Sequence, residues 1–270
     1  MKKDNKMGTY EQIIHVTKYA RYLEDKKRRE TWEETVTRYM DYMSSKVDLK
    51  GTYKELHGAL LRQEIVPSMR LLMTAGEACE RDNIAAFNCA YTSISSKRVF
   101  SEILYILMNG TGIGFSNERK KIDLLPPIPK GLSWSDDTIV VADSKKGWAV
   151  AFRKLMSSLW EGDIPNVDYS KIRPAGARLK TFGGRASGPL PLQNLFTFVT
   201  ETFKVAQGRK LNSLEVHDII CMIGDIVVVG GVRRSALIGL SNLTDHRMRD
   251  AKTGQWYLPV QDGGNPHRML

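Results

Sequence analysis

Cysteine is scarce in this sequence, which carries it only at positions 79, 89 and 221 of its 270 residues. So few cysteines cannot build a disulfide-stabilised scaffold, and the sequence favours a reducing compartment. There is no CxxC pair, and the scattered histidines form neither a triad nor a cluster with metal-ligand spacing, so no metal site is predicted. Taken without other context, Cys79, Cys89 and Cys221 are each predicted to be small core residues.

Long hydrophobic runs are missing as well. The N-terminus has no apolar stretch of the signal-peptide type. The most apolar segment, residues 219–229, is interrupted by Gly224 and Asp225 and is too short to cross a bilayer. The sequence therefore predicts a cytoplasmic protein with no membrane partner.

Positive charge is in excess, with a formal net charge of +10 and a pI near 9.4. This balance favours anionic ligands, among them nucleotides, nucleic acid and acidic lipid. The densest basic run, residues 26–29, is predicted to be a solvated loop, as charge runs usually are. Elsewhere basic residues are interleaved with acids, which argues against stable nucleic-acid binding; such binding would also weaken steeply with salt.

Helical and strand-like patterns alternate along the chain, which predicts an α/β fold. Residues 1–50 are predicted to be helical, with Thr31 and Glu34 in a capping-box pattern. Further helices are predicted over residues 96–108, from a cap at Asp143 or Ser144 to 160, over 191–206, and from a cap at Ser213 to about 228. Strands are predicted within residues 87–94, after the turn at 110–114, and over 235–240.

The segment RPAGARLKTFGGRASGP, residues 173–189, holds four glycines and four cations but no acid. Glycine lets backbone N–H groups crowd around a ligand, and arginine binds phosphate oxygens with a planar fork. Because a predicted helix follows at residue 191, its N-terminal dipole can face an anion. The local chemistry predicts a nucleotide or polyphosphate ligand.

Two shorter glycine motifs are less specific. GTGIG at residues 110–114 lacks the full dinucleotide-binding fingerprint, and by itself it predicts a helix end followed by a tight turn. GGVRRSA at residues 230–236 sets two glycines beside two arginines. An anion-binding loop and a plain helix end with exposed arginines are equally compatible with that pattern.

Taken in order, these segments resemble a known family. The motifs are VPSMRLLMTAG (66–76), NCAYTS (88–93), NGTGIGFS (109–116), IRPAGARLKTFGGRASGP (172–189), VVVGGVRRSALIGLSN (227–242) and MRDAKTGQWY (248–257). From about residue 15 onward the chain resembles the adenosylcobalamin-dependent (class II) ribonucleotide reductases, most closely the monomeric ribonucleoside-triphosphate branch. The resemblance implies an N-terminal helical region, residues 1–60, followed by the first half of a ten-stranded α/β barrel, residues 61–270.

The same resemblance implies an activity. The family replaces the 2′-hydroxyl of a ribonucleotide, here a ribonucleoside triphosphate, with hydrogen through a thiyl radical that adenosylcobalamin generates. Cys89 matches the first cysteine of the reducing pair, which a thioredoxin-like reductant restores, so the core prediction for Cys89 gives way. Substrate contacts are implied for Ser68, Asn88, Gly110, Gly112 and Gly114. A deoxynucleotide effector is implied at Lys180, Gly183, Gly184, Arg185, Gly231, Arg233, Arg234 and Ser235.

Several parts of the family pattern are not found. They are the finger loop with the radical cysteine, the second cysteine of the reducing pair, a late phosphate-binding segment, the C-terminal shuttle cysteines and an N-terminal ATP-cone. The sequence therefore predicts only the N-terminal part of a reductase, from a split gene, an intein-interrupted half or a truncated fragment. Activity would require a complementary C-terminal polypeptide, through which the adenosylcobalamin would be mostly or partly bound.

A second interpretation belongs to a different class of protein. The chain would be a non-catalytic module that binds deoxynucleotides as a regulator. Saturable nucleotide binding by the isolated chain, with no dependence on a partner, would favour this alternative. A nucleic-acid-binding role is supported by the net charge alone.

Overall fold

The computed structural model of this chain describes residues 7–177, 185–229 and 235–253, together with the backbone of two short strands beyond them. The chain divides into two compact units, Met1–Asn88 and Cys89–Leu270. The domain boundary expected after residue 60 falls inside the helix Tyr53–Leu61. The assignment of residues 61–270 to one half barrel stays a prediction.

The first unit is mainly helical. Its elements are α1 (Thr9–Ile14), a π-helical turn (His15–Tyr19), the antiparallel strands β1 (Tyr22–Leu23) and β2 (Arg28–Arg29), α2 (Trp32–Lys46), α3 (Tyr53–Leu61), α4 (Met69–Thr74), α5 (Glu77–Arg81) and a 3-10 turn (Asn83–Ala86). The helical prediction for residues 1–50 is wrong at the hairpin, where Lys27 has a positive φ of 49° that a helix cannot contain. The basic run of residues 26–29 is exposed, as predicted.

Helix α2 begins at the capping box seen in the sequence. The Thr31 hydroxyl accepts a hydrogen bond from the Glu34 backbone N–H at 3.2 Å, and the Glu34 carboxylate accepts one from the Thr31 N–H at 2.8 Å. The apolar face of α2 buries Val36 and Met40 against Leu60 of α3. Local capping and one apolar stripe therefore fix this helix pair.

A buried ion pair ties α2 to the end of α4. Arg38 donates to both carboxylate oxygens of Glu30, at 2.7 and 2.9 Å, and Glu30 is only 4% exposed. The same guanidinium donates to the carbonyls of Leu72 and Ala75. The Leu72 carbonyl lies in the last turn of α4 and the Ala75 carbonyl lies just after it. Carbonyl groups at the C-terminus of a helix have no N–H partner within the helix, and Arg38 supplies one.

The second unit alternates strands and helices. Its strands are β3 (Cys89–Ser93), β4 (Gly112–Ser116), β5 (Ser133–Val140), β6 (Asp163–Asp168), β7 (Leu237–Leu240), β8 (Tyr257–Leu258) and β9 (His267–Arg268). Its helices are α6 (Val99–Met108), α7 (Arg119–Ile122), α8 (Lys145–Glu161), α9 (Leu190–Val205), α10 (Ser213–Val229) and α11 (His246–Asp250). The predicted α/β class is confirmed.

Five strands of this unit lie in parallel sheets. The order β3-β4-β7 forms one sheet, β5 and β6 form another, and β8 pairs with β9 in antiparallel fashion. The helices α6, α8, α9 and α10 supply most of the core, which includes Phe100, Leu104, Phe152, Met156, Phe203 and Ile220. Within the described ranges no helix is long and apolar enough to cross a membrane.

The caps of two helices can be compared with their predictions. Ser144 caps α8, since its hydroxyl accepts a hydrogen bond from the Gly147 N–H at 2.9 Å. The prediction for α10 is wrong by one residue, because the side-chain oxygen of Asn212 accepts from the N–H groups of Leu214 and Glu215. Ser213 is the first helical residue and is buried.

Candidate functional site

One face of the sheet β3-β4-β7 turns away from the helical core. Ile113 and Phe115 of β4 are buried in that core. Because side chains alternate along a strand, Gly112 and Gly114 lie on the opposite face. In the parallel register Cys89 stands opposite Gly112, so the thiol shares the face of the two glycines. We call this surface the open face.

Exposed apolar side chains border the glycines on the open face. Tyr91 of β3, opposite Gly114, is 62% exposed. On the other side Ile238 of β7 also pairs with Gly114 and is 62% exposed, and Leu240 follows it. The sequence motifs did not single out these three residues, although their period-2 spacing in the two strands was the available signal. The open face thus carries the Cys89 thiol, the backbone of two glycines and the exposed apolar side chains of Tyr91, Ile238 and Leu240.

Gly110 connects α6 to this sheet. It follows the helix C-terminus with a φ of +77°, a conformation that glycine adopts without strain. The predicted helix end is confirmed there. The tight turn predicted over residues 110–114 is wrong beyond residue 111, because Gly112 already begins strand β4. A residue with a side chain would be strained at this position, so glycine is explained by the turn itself, and a substrate contact at Gly110 stays a prediction.

The three cysteines have different environments. Cys89 is exposed, so the core prediction made without context is wrong for it. Cys79 is buried and its thiol donates to the Thr74 hydroxyl at 3.3 Å, which confirms that prediction. Cys221 is half-buried, with its Sγ 3.6 Å from each ring nitrogen of His217, so the core prediction is wrong there too.

Two predicted substrate residues belong to the first unit. Ser68 caps α4, where its hydroxyl accepts a hydrogen bond from the Leu71 N–H at 3.3 Å. Asn88 is exposed in a bend immediately before β3. The cap gives Ser68 a structural role, and substrate contacts by either residue stay predictions.

Most predicted effector residues lie outside the described residues. These are Lys180, Gly183, Gly184, Gly231, Arg233 and Arg234. Arg185 is described and exposed, and its guanidinium donates to the Gly176 carbonyl at 3.0 Å. Ser235 is described and donates to the Gly224 carbonyl inside α10 at 2.9 Å. Both described residues therefore anchor the ends of the two glycine-rich segments.

The ends of the first segment are held together by backbone contacts. Gly176 N–H donates to the Ala186 carbonyl at 2.8 Å, and Ala186 N–H donates to the Ala177 carbonyl at 2.7 Å. The first cation of the segment, Arg173, forms an ion pair with Asp143 at 2.7 Å. Because Asp143 lies thirty residues earlier, the sequence pattern could not show that this arginine already has an acidic partner. The helix predicted to follow the segment is confirmed as α9.

Comparisons with known proteins agree with the motif-based resemblance. Residues 133–203 match the family model described as "B12-dependent ribonucleotide reductase, insertion domain". Adenosylcobalamin-dependent ribonucleoside-triphosphate reductases from Lactobacillus gasseri, Euglena gracilis and Lactobacillus leichmannii are 27–28% identical to this chain over 85–96% of its length. The chain spans 37–42% of the length of these three relatives.

A solved structure gives the same result for the fold. The crystal structure of a B12-dependent (class II) ribonucleotide reductase superimposes with a TM-score of 0.78 at 23% sequence identity. The match covers 90% of this chain and 43% of the other. The resemblance drawn from the sequence is confirmed, and the alignments involve less than half of each relative.

Proposed function

We propose that this chain is the N-terminal part of an adenosylcobalamin-dependent ribonucleoside-triphosphate reductase. The observation that supports this most directly is the exposed Cys89 standing opposite Gly112 on the open face. A reducing thiol must reach the 2′-hydroxyl of the substrate, and a cysteine buried in the core could not do so. The glycines beside it leave room for a ligand close to the backbone.

Cys89 would act as one of two reducing thiols. In this role it protonates the departing 2′-hydroxyl, which leaves as water, and then forms a disulfide with a second cysteine. The two thiols supply two electrons, and the ribose carbon gains a hydrogen in place of its hydroxyl. A thioredoxin-like dithiol would reduce the disulfide by exchange. The second cysteine would come from a complementary C-terminal polypeptide.

The substrate would lie against the glycines of the open face. We assign Gly112 and Gly114 to close backbone approach, and Gly110 to the turn that presents them. Ser68 and Asn88 are proposed to contact the ribose or phosphates. A ribonucleoside triphosphate is the proposed substrate because the relatives are named for that activity.

The two glycine-rich segments would bind a deoxynucleotide effector. Arg185 and Ser235 are the described members of that proposed set, beside the remaining effector residues named from the sequence. Both are fixed by hydrogen bonds to backbone carbonyls, which would hold the loop ends in place while the loops respond to a nucleotide. The net charge of +10 favours such anionic ligands.

The open face would be covered by the complementary polypeptide. Among the residues that the structure describes, β3 and β7 are the outer strands of their sheet, and parallel sheets are normally buried on both faces. We propose that they belong to the first half of a ten-stranded barrel within residues 61–270, with residues 1–60 as the helical region. The assembled reductase is proposed to work in the cytoplasm.

Adenosylcobalamin would supply the radical chemistry of the complete enzyme. The open face offers one thiol, one phenol and two aliphatic side chains, and none of these identifies a corrinoid site. We therefore assign the cofactor chiefly to the complementary polypeptide. No step described for this chain depends on its position.

The proposal can be tested by measuring deoxyribonucleotide formation. The chain would be incubated with a ribonucleoside triphosphate, adenosylcobalamin and dithiothreitol, alone and with a polypeptide that carries the remaining part of the barrel. Product is expected only in the mixture. Cys89→Ser should lower its rate at least about a hundredfold, the scale of a lost proton donor.

Cys79→Ser is the matched control, because Cys79 is buried in the first unit and contacts Thr74. It should leave product formation largely unchanged. Full activity of the Cys89→Ser mixture with the dithiol would contradict the role of Cys89. No activity in any mixture, with saturable deoxynucleotide binding by the chain alone, would instead favour the regulatory module.

A further inference from the structure

A cysteine, a histidine and an aspartate are grouped on α10, where all three are half-buried. Cys221 follows His217 by four residues, so the two side chains lie one helical turn apart. Cys221 Sγ is 3.6 Å from both Nδ1 and Nε2 of His217. His217 Nδ1 is 3.3 Å from a carboxylate oxygen of Asp218.

The imidazole of His217 is held by its surroundings. Its ring centroid is 6.0 Å from that of the buried Phe115. On another side, a Cβ at Gly239 of β7 would lie 3.3 Å from His217 Cδ2. Residues of β4 and β7 therefore lie against the ring and limit its movement.

The protonation of this group follows from its partners. The Nδ1–H can be donated to the Asp218 carboxylate. Because Cys221 Sγ is equally far from both ring nitrogens, neither N–H points straight at the sulfur, and the contact is one of proximity. Hydrogen bonding to Asp218 and then to Cys221 outweighs burial and raises the pKa of His217 to about 9. A further carboxylate, Asp225, is exposed one turn beyond Cys221. The thiolate is the nucleophile in disulfide exchange, and a cationic imidazole 3.6 Å from the sulfur would stabilise negative charge there during the attack.

We propose that Cys221, activated by His217, is a site of reversible thiol modification by a low-molecular-weight disulfide such as glutathione disulfide. The Cys221 thiol loses its proton to solvent, and its sulfur attacks one sulfur of the disulfide. A new sulfur–sulfur bond forms at Cys221, the original one breaks, and glutathione thiolate leaves. A dithiol reverses the exchange by the same chemistry.

Access to Cys221 is compatible with this chemistry. The thiol is half-buried, and the side chains of His217 and Asp218 are 22% and 26% exposed. Among the described residues no group of three His, Cys, Asp or Glu side chains is placed to hold a metal ion. This site is independent of the function proposed for Cys89.

The test uses chains that keep one cysteine each. In the Cys79→Ser, Cys89→Ser chain, Cys221 is the only thiol, and glutathione disulfide is added while intact mass is followed from pH 5 to 9. One glutathionyl adduct per chain is expected, and dithiothreitol should remove it. In the same background His217→Gln should slow the reaction about three- to tenfold at pH 7, because the positive charge beside the attacking sulfur is lost.

The control is the chain that keeps only Cys89, which is exposed and lies on the open face. Adding His217→Gln to that chain should leave its rate unchanged. Asp218→Asn in the Cys221 chain should slow the exchange less than His217→Gln does, and circular dichroism would show that each variant is folded. Equal rates with and without His217, or an adduct that forms only in urea, would overturn the proposal.

Discussion

Tyr91 on β3 and Ile238 on β7 flank Gly114 from both sides of the open face. A Cβ at Gly114 would lie 3.3 Å from Ile238 Cγ2 and 3.6 Å from Tyr91 Cδ2. Glycine therefore keeps a shallow channel open between two exposed side chains. The two nearest atoms belong to side chains that are 62% exposed rather than to backbone, so we infer that the channel is not required for packing.

Gly114→Ala should therefore weaken substrate binding while leaving the stability of the chain nearly unchanged. The new methyl group would fill the channel, while Ile238 can move by the few tenths of an ångström needed. We expect the free energy of unfolding to change by less than about 1 kcal/mol, since volume changes that neighbours can absorb cost little. The KM for the ribonucleoside triphosphate should rise severalfold in the complemented enzyme, and urea denaturation with steady-state kinetics would measure both.

Gly147→Ala provides the contrast, because its Cβ would overlap the Ala142 carbonyl oxygen and lie 2.8 Å from Ala142 Cβ. Backbone cannot move aside as a side chain does, so the expected loss of stability is about 2 kcal/mol or more. If Gly114→Ala destabilised the chain equally, the channel would be a packing contact.

Replacing Glu30 of the Glu30–Arg38 pair by the neutral glutamine should lower the free energy of unfolding strongly. In Glu30→Gln the guanidinium of Arg38, 16% exposed, would lose its carboxylate while remaining buried. Breaking a buried pair by removing one partner costs about 3 kcal/mol. Urea denaturation at pH 7 would measure the loss, and Glu33→Gln on exposed α2 surface should cost less than about 0.5 kcal/mol.

The same carboxylate predicts a pH dependence. Burial alone would raise the pKa of Glu30, but hydrogen bonds from Arg38 and from the Arg21 N–H outweigh it and hold the pKa below its usual value. A lowered carboxyl pKa stabilises the fold above the unfolded-state value of about 4.3, and this stability is lost as the pH falls below it. The unfolding free energies of wild type and Glu30→Gln should therefore converge in acid. A constant difference down to pH 3 would contradict this assignment.

Local patterns predicted those features whose causes are local. The capping box of Thr31 and Glu34 and the helix end at Gly110 depend on residues within one turn, and both were found. The Glu30–Arg38 pair and its link to Leu72 depend on tertiary contacts, which one sequence does not display. The exposure of Cys89 was mispredicted for the same reason, because a strand pattern does not show which face meets the core.

Substitutions of Asn212 test its assignment as the cap of α10. Asn212→Ala would remove the acceptor for the N–H groups of Leu214 and Glu215, at a cost of about 1 kcal/mol in unfolding free energy. Asn212→Ser, which keeps a capping oxygen, should cost only a few tenths of a kcal/mol. Thermal and urea denaturation would compare the two, and equal losses would mean that the side chain acts in some other way.

A substitution of Ile238 tests whether the complementary polypeptide binds to the open face. If that polypeptide covers the open face, Ile238→Lys should weaken binding at least about tenfold, because burying one such side chain contributes about 1.5–3 kcal/mol. Leu243→Lys is the matched control, since Leu243 is 98% exposed in the loop after β7. Titration calorimetry would measure both affinities, after circular dichroism has shown that the variants fold. Equal weakening by the two substitutions would mean that added charge acts generally, and that the open face is not the surface on which the barrel is completed.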